Sequence, residues 1–385
     1  MAEIGIGMIG YKFMGRAHSN GWRQVGHFFD VDPQPRLRAI CGRDEAATRD
    51  AAITLGWEGY ETDARQLIAR DDIGIVDVCT PGNTHHDLAL AAIQAGKHVI
   101  CEKPLANTLA EAREMRDAAA QAGVVNMVNF NYRRVPAVQL AKRLIAEGRI
   151  GTVRHWRAVY LQDWIVDPQF PLVWRLRKEL AGSGALGDLG AHIVDLSHYL
   201  VGPIASVSGA TETFIKERPL EAASAAHGLD AAASSETGQV TVDDAVIFLA
   251  RFANGAIGTF EATRFATGRK NFNSFEINGS RGSIVFNLER LNELQVYSAD
   301  DPADAAGFRT ILVTDASQPF AGAWWPGGHI IGWEHTFTHG FKDFLDGVRT
   351  GQSPAPDFAD GYRCQAVLDA VERSAASGAW ATPEE

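Results

Sequence analysis

Three side chains in this sequence combine residue type and setting suited to acid–base chemistry on a hydroxyl. The first is Lys103, in the run His98-Val99-Ile100-Cys101-Glu102-Lys103-Pro104-Leu105. Val99 to Cys101 reads as a buried strand that ends on a carboxylate, an ammonium and a proline. Proline biases the residue before it away from helical dihedrals, so Lys103 is expected in an extended turn leaving the strand. Ligands bind outside the carboxyl ends of strands in open α/β sheets, where such a lysine could polarise a hydroxyl or a carbonyl. The plainer alternative is a solvated lysine in a surface loop.

The other two are Asp188 and His192, in Gly182-Ser183-Gly184-Ala185-Leu186-Gly187-Asp188-Leu189-Gly190-Ala191-His192. On a helix beginning near Gly187 they stand one turn apart on one face. A carboxylate there can hold an imidazole in one tautomer and raise its pKa, as a general base for a hydroxyl needs. A metal is the rival use of such a pair, but no third ligand is obvious, so no metal is expected. A helix cap beside a structural histidine is the other alternative. Upstream, Trp174, Arg175 and Lys178 offer an aromatic wall and cations for a hydroxyl-rich ligand, or else a solvated helix face. Tyr132 follows a strand and either lines a substrate pocket or packs between domains. The segment from His329 to His335, with Trp333 and Glu334, is a further candidate.

These groups need a frame, and the first third of the chain supplies one. Strand patterns at Glu3–Ile9, Leu37–Cys41, Ile73–Cys79, Val99–Cys101 and Val124–Asn129 alternate with helical patterns. Alternation of this kind predicts a parallel sheet covered by helices. The first strand runs into Gly10-Tyr11-Lys12-Phe13-Met14-Gly15. In a dinucleotide-binding turn the first glycine permits the bend, the second lets backbone approach the pyrophosphate, and the third lets helix pack on strand. Lys12 stands at the second glycine's place, so its side chain must point away from the phosphates or curl over them. An ordinary βα turn is the alternative.

The residue ending the second strand should select the nucleotide. Here Cys41-Gly42-Arg43-Asp44 replaces the usual acid. Gly42 leaves room for a 2′-phosphate, Arg43 could pair with it, and Asp44 could instead cap the next helix. Either NAD or NADP is compatible. Thr80-Pro81-Gly82-Asn83-Thr84-His85 follows the third of these strands and could cover ribose or nicotinamide, or be a plain loop capped by Asn83.

Beyond residue 130 the texture changes. Strand patterns at Val153–Tyr160, Val207–Phe214, Asp244–Phe252, Ala256–Arg264, Asn273–Asn278 and Ser283–Asn287 predict a mostly antiparallel sheet open on one face. Helical patterns lie at Ala137–Glu147, Ile193–Leu200, Thr336–Arg349 and Ala359–Ser377. Glu221–Ser235, rich in Ala and Ser, reads as an irregular insertion. The expected division is a domain over 1–130 and another over 131–385.

Composition narrows the function classes. A net charge of -11 over 385 residues argues against a nucleic-acid partner. No window approaches eighteen apolar residues, so no membrane span is expected. The chain enters a strand at once, without a basic leader, and reads as cytoplasmic. Four cysteines with no CxxC spacing read as reduced thiols, three of them at strand ends.

Taken in order, these motifs resemble the Gfo/Idh/MocA oxidoreductases. The matching text is the Gly10–Gly15 turn, Thr80-Pro81 with His85, Ala95-Gly96-Lys97-His98-Val99, Glu102-Lys103-Pro104, and Gly187-Asp188 with Gly190 and His192. Asp360-Gly361-Tyr362 is similar to the family's closing helix. The resemblance implies a Rossmann domain followed by an α+β domain whose large open sheet mediates substrate binding and oligomerisation, as a homodimer or homotetramer. It implies oxidation of a secondary alcohol on a sugar, glycoside or cyclitol, with hydride passing to NAD or NADP. By position Lys103, Asp188 and His192 would be catalytic. His192 would take the hydroxyl proton, Lys103 would steady the oxygen, and Asp188 would fix the substrate and the histidine. Gly10, Lys12, Phe13, Met14, Gly42, Arg43, Thr80, Pro81, Asn83, His85, Glu102 and Lys103 would border the cofactor. Tyr132, Trp174, Arg175 and Lys178 would join Asp188 and His192 around the substrate. Two other functions fit the fold: an NAD-dependent glycosidase that oxidises C3 transiently and eliminates the aglycone, and a non-catalytic sugar or cofactor sensor.

Overall fold

In the computed structural model, which describes residues 2–222 and 232–384, the chain forms two compact units. The first comprises Met1–Arg134 with Phe320–Tyr362, and the second Val135–Pro319 with Arg363–Glu385.

The first unit is built on a six-stranded sheet of β1 (Glu3–Ile9), β2 (Gln34–Cys41), β3 (Gly59–Glu61), β4 (Ile75–Val78), β5 (His98–Cys101) and β6 (Asn126–Val128), in the order β3-β2-β1-β4-β5-β6. Every pairing is parallel. That order reverses between β1 and β4, the position where doubly wound sheets open a crevice. The helices are punctuated as their ends require. Asp44 accepts a hydrogen bond from Ala47 N at the start of α2 (Glu45–Leu55), whose N-cap it is. Thr108 and Glu111 form a reciprocal capping box on the helix Leu109–Ala122, and Gly123 closes it with a φ of 66°.

Phe320–Tyr362 joins this unit rather than a second domain running from 131 to the end. Its helix His335–Thr350 lies against α1 (Phe13–Phe28), with Phe341 stacked on Trp22 at 4.1 Å between ring centroids. Sequence periodicity marks such a helix as amphipathic without saying which sheet it covers.

The second unit carries an eight-stranded sheet in which Val153–Leu161 and Ile257–Thr263 pair in parallel and every other pairing is antiparallel. Side chains alternate across it. In Ala245–Phe252, Val246, Phe248, Ala250 and Phe252 are buried while Ile247 and Leu249 are exposed. Helices Pro136–Ala146 and Ala191–Leu200 pack on the buried side. The segment expected to be irregular holds the ends of a hairpin, Glu217–Glu221 paired with Ala233–Gln239, and the remainder of it (223–231) lies outside the described residues. Two further strands, Glu293–Ser298 and, at the sheet edge, Arg309–Leu312, had no clear sequence signal. No helix among the described residues is long and apolar enough to cross a membrane.

Candidate active site

In the first unit, loops leaving β1, β2, β4 and β5 are tied to one another. Gly10 has a φ of 103°, and a Cβ there would lie 2.7 Å from Cys79 O. Its N–H donates to Cys41 O at 2.9 Å. A glycine is therefore required for both conformation and space. Lys12 is the N-cap residue of α1, with no side-chain capping bond and no acidic residue in the first turn. The helix thus presents its N-terminal amides without a competing carboxylate, as a pyrophosphate site needs. Met14 packs half-buried against the core behind the turn, while Phe13 is exposed and stacks on Trp333 at 5.6 Å. That contact brings one residue of the His329–His335 segment to the glycine turn.

The space over Gly42 is already filled. A Cβ there would meet the Tyr11 ring at 2.1 Å, so packing, rather than room left for a 2′-phosphate, accounts for this glycine. Arg43 is exposed beside it, and Asp44 is engaged as the helix cap.

After β4, Thr80 Oγ1 accepts from Thr84 Oγ1 at 2.6 Å, and Pro81 O accepts from the same hydroxyl at 2.8 Å. Asn83 is exposed; the residue at the N-cap of the helix His85–Gln94 is Thr84. His85 is buried, its Nε2 2.9 Å from Thr80 O and its Nδ1 2.9 Å from Pro104 O. Burial lowers its pKa against the pull of those two carbonyls, and the ring links two loops from within the core. Glu102 is buried as well, with Oε1 2.8 Å from His18 Nε2 and 2.6 Å from Asn129 Nδ2. A carboxylate with those partners is structural support for the turn. Lys103, half-buried, follows it with a cis bond to Pro104. Tyr132 is buried in the short helical turn Asn131–Arg134 beyond β6.

In the second unit, a π-helical turn, Leu186–Gly190, precedes the α-helix Ala191–Leu200. The expected uniform α-helix from Gly187 is therefore replaced by a wider first turn carrying Asp188, with His192 on the α-helix proper. Half-buried Asp243 anchors the turn by accepting from Gly184 N at 2.7 Å and Leu186 N at 2.8 Å. Asp188 Oδ2 accepts from Arg264 Nη2 at 3.0 Å, and the same nitrogen donates to Gly184 O at 3.1 Å. Arg264 is buried at the end of the strand Ile257–Thr263, and its Nη1 reaches Arg175 O at 3.3 Å. Arg175 stacks on Trp174 at 4.4 Å. Burial lowers the Arg175 pKa, with Asp188 opposing and Arg264 adding to that effect. His192 is buried, its ring 5.7 Å from that of Tyr160. Lys178 is exposed and pairs with Glu372 at 3.2 Å.

Sequence reasoning missed Arg264, Asp243 and His18. Each meets its partner through chain separations of dozens of residues, and none lies in a motif. His18, Asp77 and Cys79 bring ligand-type atoms within 4.8 Å of one another. Both imidazole nitrogens are already engaged by carboxylates, so the cluster is satisfied as an ion-paired network.

A parallel sheet of this order, a glycine turn on an uncapped helix and a lysine turn leaving β5 define an NAD(P)-dependent oxidoreductase. Residues 4–130 match the oxidoreductase family with an NAD-binding Rossmann fold, and residues 138–285 match the GFO/IDH/MocA C-terminal domain. The chain belongs to the GFO/IDH/MocA family. It is 45% identical over 383 residues to levoglucosan dehydrogenase of Pseudarthrobacter phenanthrenivorans, covering 99% of this chain and 98% of that protein. A levoglucosan dehydrogenase structure in complex with NADH and levoglucosan superposes with a TM-score of 0.94 at 43% identity, covering 100% of both chains. The oxidoreductase domain protein from Kribbella flavida gives a TM-score of 0.95 at 55% identity, again covering 100% of both.

Proposed function

We propose that this enzyme oxidises a secondary hydroxyl of a sugar, glycoside or cyclitol, with levoglucosan the first substrate to test. The observation that carries the reading is the full-length 45% identity to a levoglucosan dehydrogenase, joined to the presence of Lys103, Asp188 and His192 in one chain. Bound nicotinamide supplies the hydride acceptor. His192 accepts the hydroxyl proton at its imidazole. Lys103 donates a hydrogen bond to the reacting oxygen and offsets the negative charge that develops there. Asp188 accepts hydrogen bonds from the sugar, its carboxylate held ready by Arg264. The stacked Trp174 and Arg175 and Tyr132 are assigned to the substrate side. Lys178, engaged with Glu372 at the surface, is left out of that set. Gly10, Lys12, Phe13, Met14, Gly42, Arg43, Thr80, Pro81 and Asn83 are assigned to the cofactor side; His85 and Glu102 support the loops behind it.

A homo-oligomer through the open sheet face is part of this reading, supported by exposed Ile247, Leu249 and Ile257 on adjacent strands. Cytoplasmic residence is supported by four free cysteines among the described residues.

The test is a panel of sugars, cyclitols and glycosides assayed with NAD and with NADP. One reduced cofactor per sugar oxidised is the expected stoichiometry. Release of an aglycone without net reduction of cofactor would replace the dehydrogenase by the redox-neutral glycosidase.

A further inference from the structure

Behind the Glu102-Lys103-Pro104 turn lies a buried charge network that the proposed chemistry leaves unused. His18 on α1 is fully buried. Its Nδ1 lies 3.0 and 2.9 Å from the two carboxylate oxygens of Asp77, and its Nε2 lies 2.8 Å from Glu102 Oε1. Trp22 Nε1 donates to Asp77 Oδ2 at 2.8 Å, and Cys79 Sγ stands 3.4 Å from Asp77 Oδ1. Asn129 Nδ2 is 2.6 Å from Glu102 Oε1 and 2.9 Å from His18 Nε2. Phe337 and Phe341 cover the imidazole at 5.3 and 5.2 Å and bring no charge.

A neutral imidazole donates from one nitrogen only, so a carboxylate at the other would face a lone pair. Both carboxylates are buried, where an uncompensated charge is costly. Protonation of both nitrogens turns each carboxylate contact into a charge-assisted hydrogen bond, and the Asn129 amide then donates to Glu102 Oε1 and not to the imidazole. The network then carries one net negative charge, and the Lys103 ammonium stands next in the chain. We infer that His18 is a positioning residue, a doubly donating imidazolium that fixes the Glu102 carboxylate and, through it, the turn presenting Lys103. Burial opposes the charge on His18, but Asp77 carries its pKa well above the ordinary value. Burial likewise raises Glu102, and the His18 hydrogen bond and charge, with smaller help from Lys103, bring it below the usual carboxylate range.

The inference rests on the reading of Lys103 as the group that meets the reacting oxygen, but its first test needs no substrate. Nitrogen-15 histidine spectra of the full chain should show one imidazole still protonated on both nitrogens at about pH 8, well above the normal midpoint. Glu102→Gln should shift that same resonance, which assigns it without any His18 variant. A neutral His18 at neutral pH overturns the inference. In turnover, His18→Gln should lower kcat by up to about 10²-fold while the KM for NAD stays within about threefold. The double variant H18Q/E102Q should be no slower than H18Q alone, because both changes act through one element. Losses that multiply independently overturn the relay through Glu102, even with a charged His18. If no sugar is oxidised at all, the spectra still decide the state of His18, and only the proposed function fails.

Discussion

The two units each hold a carboxylate ready beside a candidate catalytic group, and they do so with different cations. Glu102 is held by His18, a residue whose charge depends on its surroundings. Asp188 is held by Arg264, whose guanidinium stays charged at any working pH. The first arrangement is fully buried and reciprocal, since each partner holds the other ionised. The second is one-sided: Arg264 is buried while Asp188 keeps 26% of its side chain exposed, as the proposed contact with a sugar requires. A buried carboxylate that serves as a prop can be tuned by a titratable partner, whereas one that meets substrate gains from a permanent charge.

The largest expected effect tests whether the second unit carries the base. His192→Ala should lower kcat by about 10²-fold or more, the usual worth of general acid–base catalysis. Steady-state reduction of NAD with the best sugar measures it, and near-wild-type turnover would remove His192 from the chemistry. Lys103→Ala should depress kcat by about tenfold to 10²-fold, with NADH affinity in a fluorescence titration changed by less than about threefold. An unchanged kcat would take the lysine out of the site.

Arg264→Met probes the permanent cation directly. Removing the guanidinium that donates to Asp188 and two backbone carbonyls should cost about 3 kcal/mol in urea unfolding. A loss below about 0.5 kcal/mol, the range of a surface pair, would show that the contact is not a support.

Smaller, and sharper for the comparison, is the dependence on pH. The pKa of His18 is raised in the folded state above its ordinary 6.5. Its contribution is therefore fully present below about pH 6.5 and is lost as pH rises through the folded value. Glu102 is lowered below its ordinary 4.5, so its contribution is present above about pH 4.5 and is lost as pH falls through the folded value. The difference in Tm between the native chain and His18→Gln should be greatest between about pH 4.5 and 6.5 and shrink toward alkaline pH. The deficit of Arg264→Met should stay level over the same alkaline range. Parallel curves for both variants would erase the distinction between the titratable and the permanent cation. The smallest effect is expected at Arg43, exposed beside Gly42. Arg43→Ala should weaken NADP a few-fold more than NAD, and equal losses would show that it reads no 2′-phosphate.

Much of this was legible in the chain. The alternation of strand and helix, the glycine turn at residues 10–15, and the Glu-Lys-Pro element each announce themselves through local chemistry. So does the cap at Asp44, whose hydrogen bond spans three residues. Asp188 and His192 were visible as a pair, but the π-turn beneath Asp188 was not, because a widened turn leaves no signature in periodicity. Gly42 was open to misreading for a related reason: a missing side chain does not say what fills the space, and here Tyr11 does.

The sequence by itself determined the class of fold, the order of the motifs and the residues able to handle a proton. Those properties depend on dihedral preference, periodicity and side-chain chemistry, which are local. Tertiary structure alone decided that Glu102 is a prop held by His18, that Asp188 answers to Arg264, and that the helix His335–Thr350 returns to the first unit. Each is a contact between residues distant along the chain, and burial, which gives a charge its strength or its cost, exists only once the chain has folded.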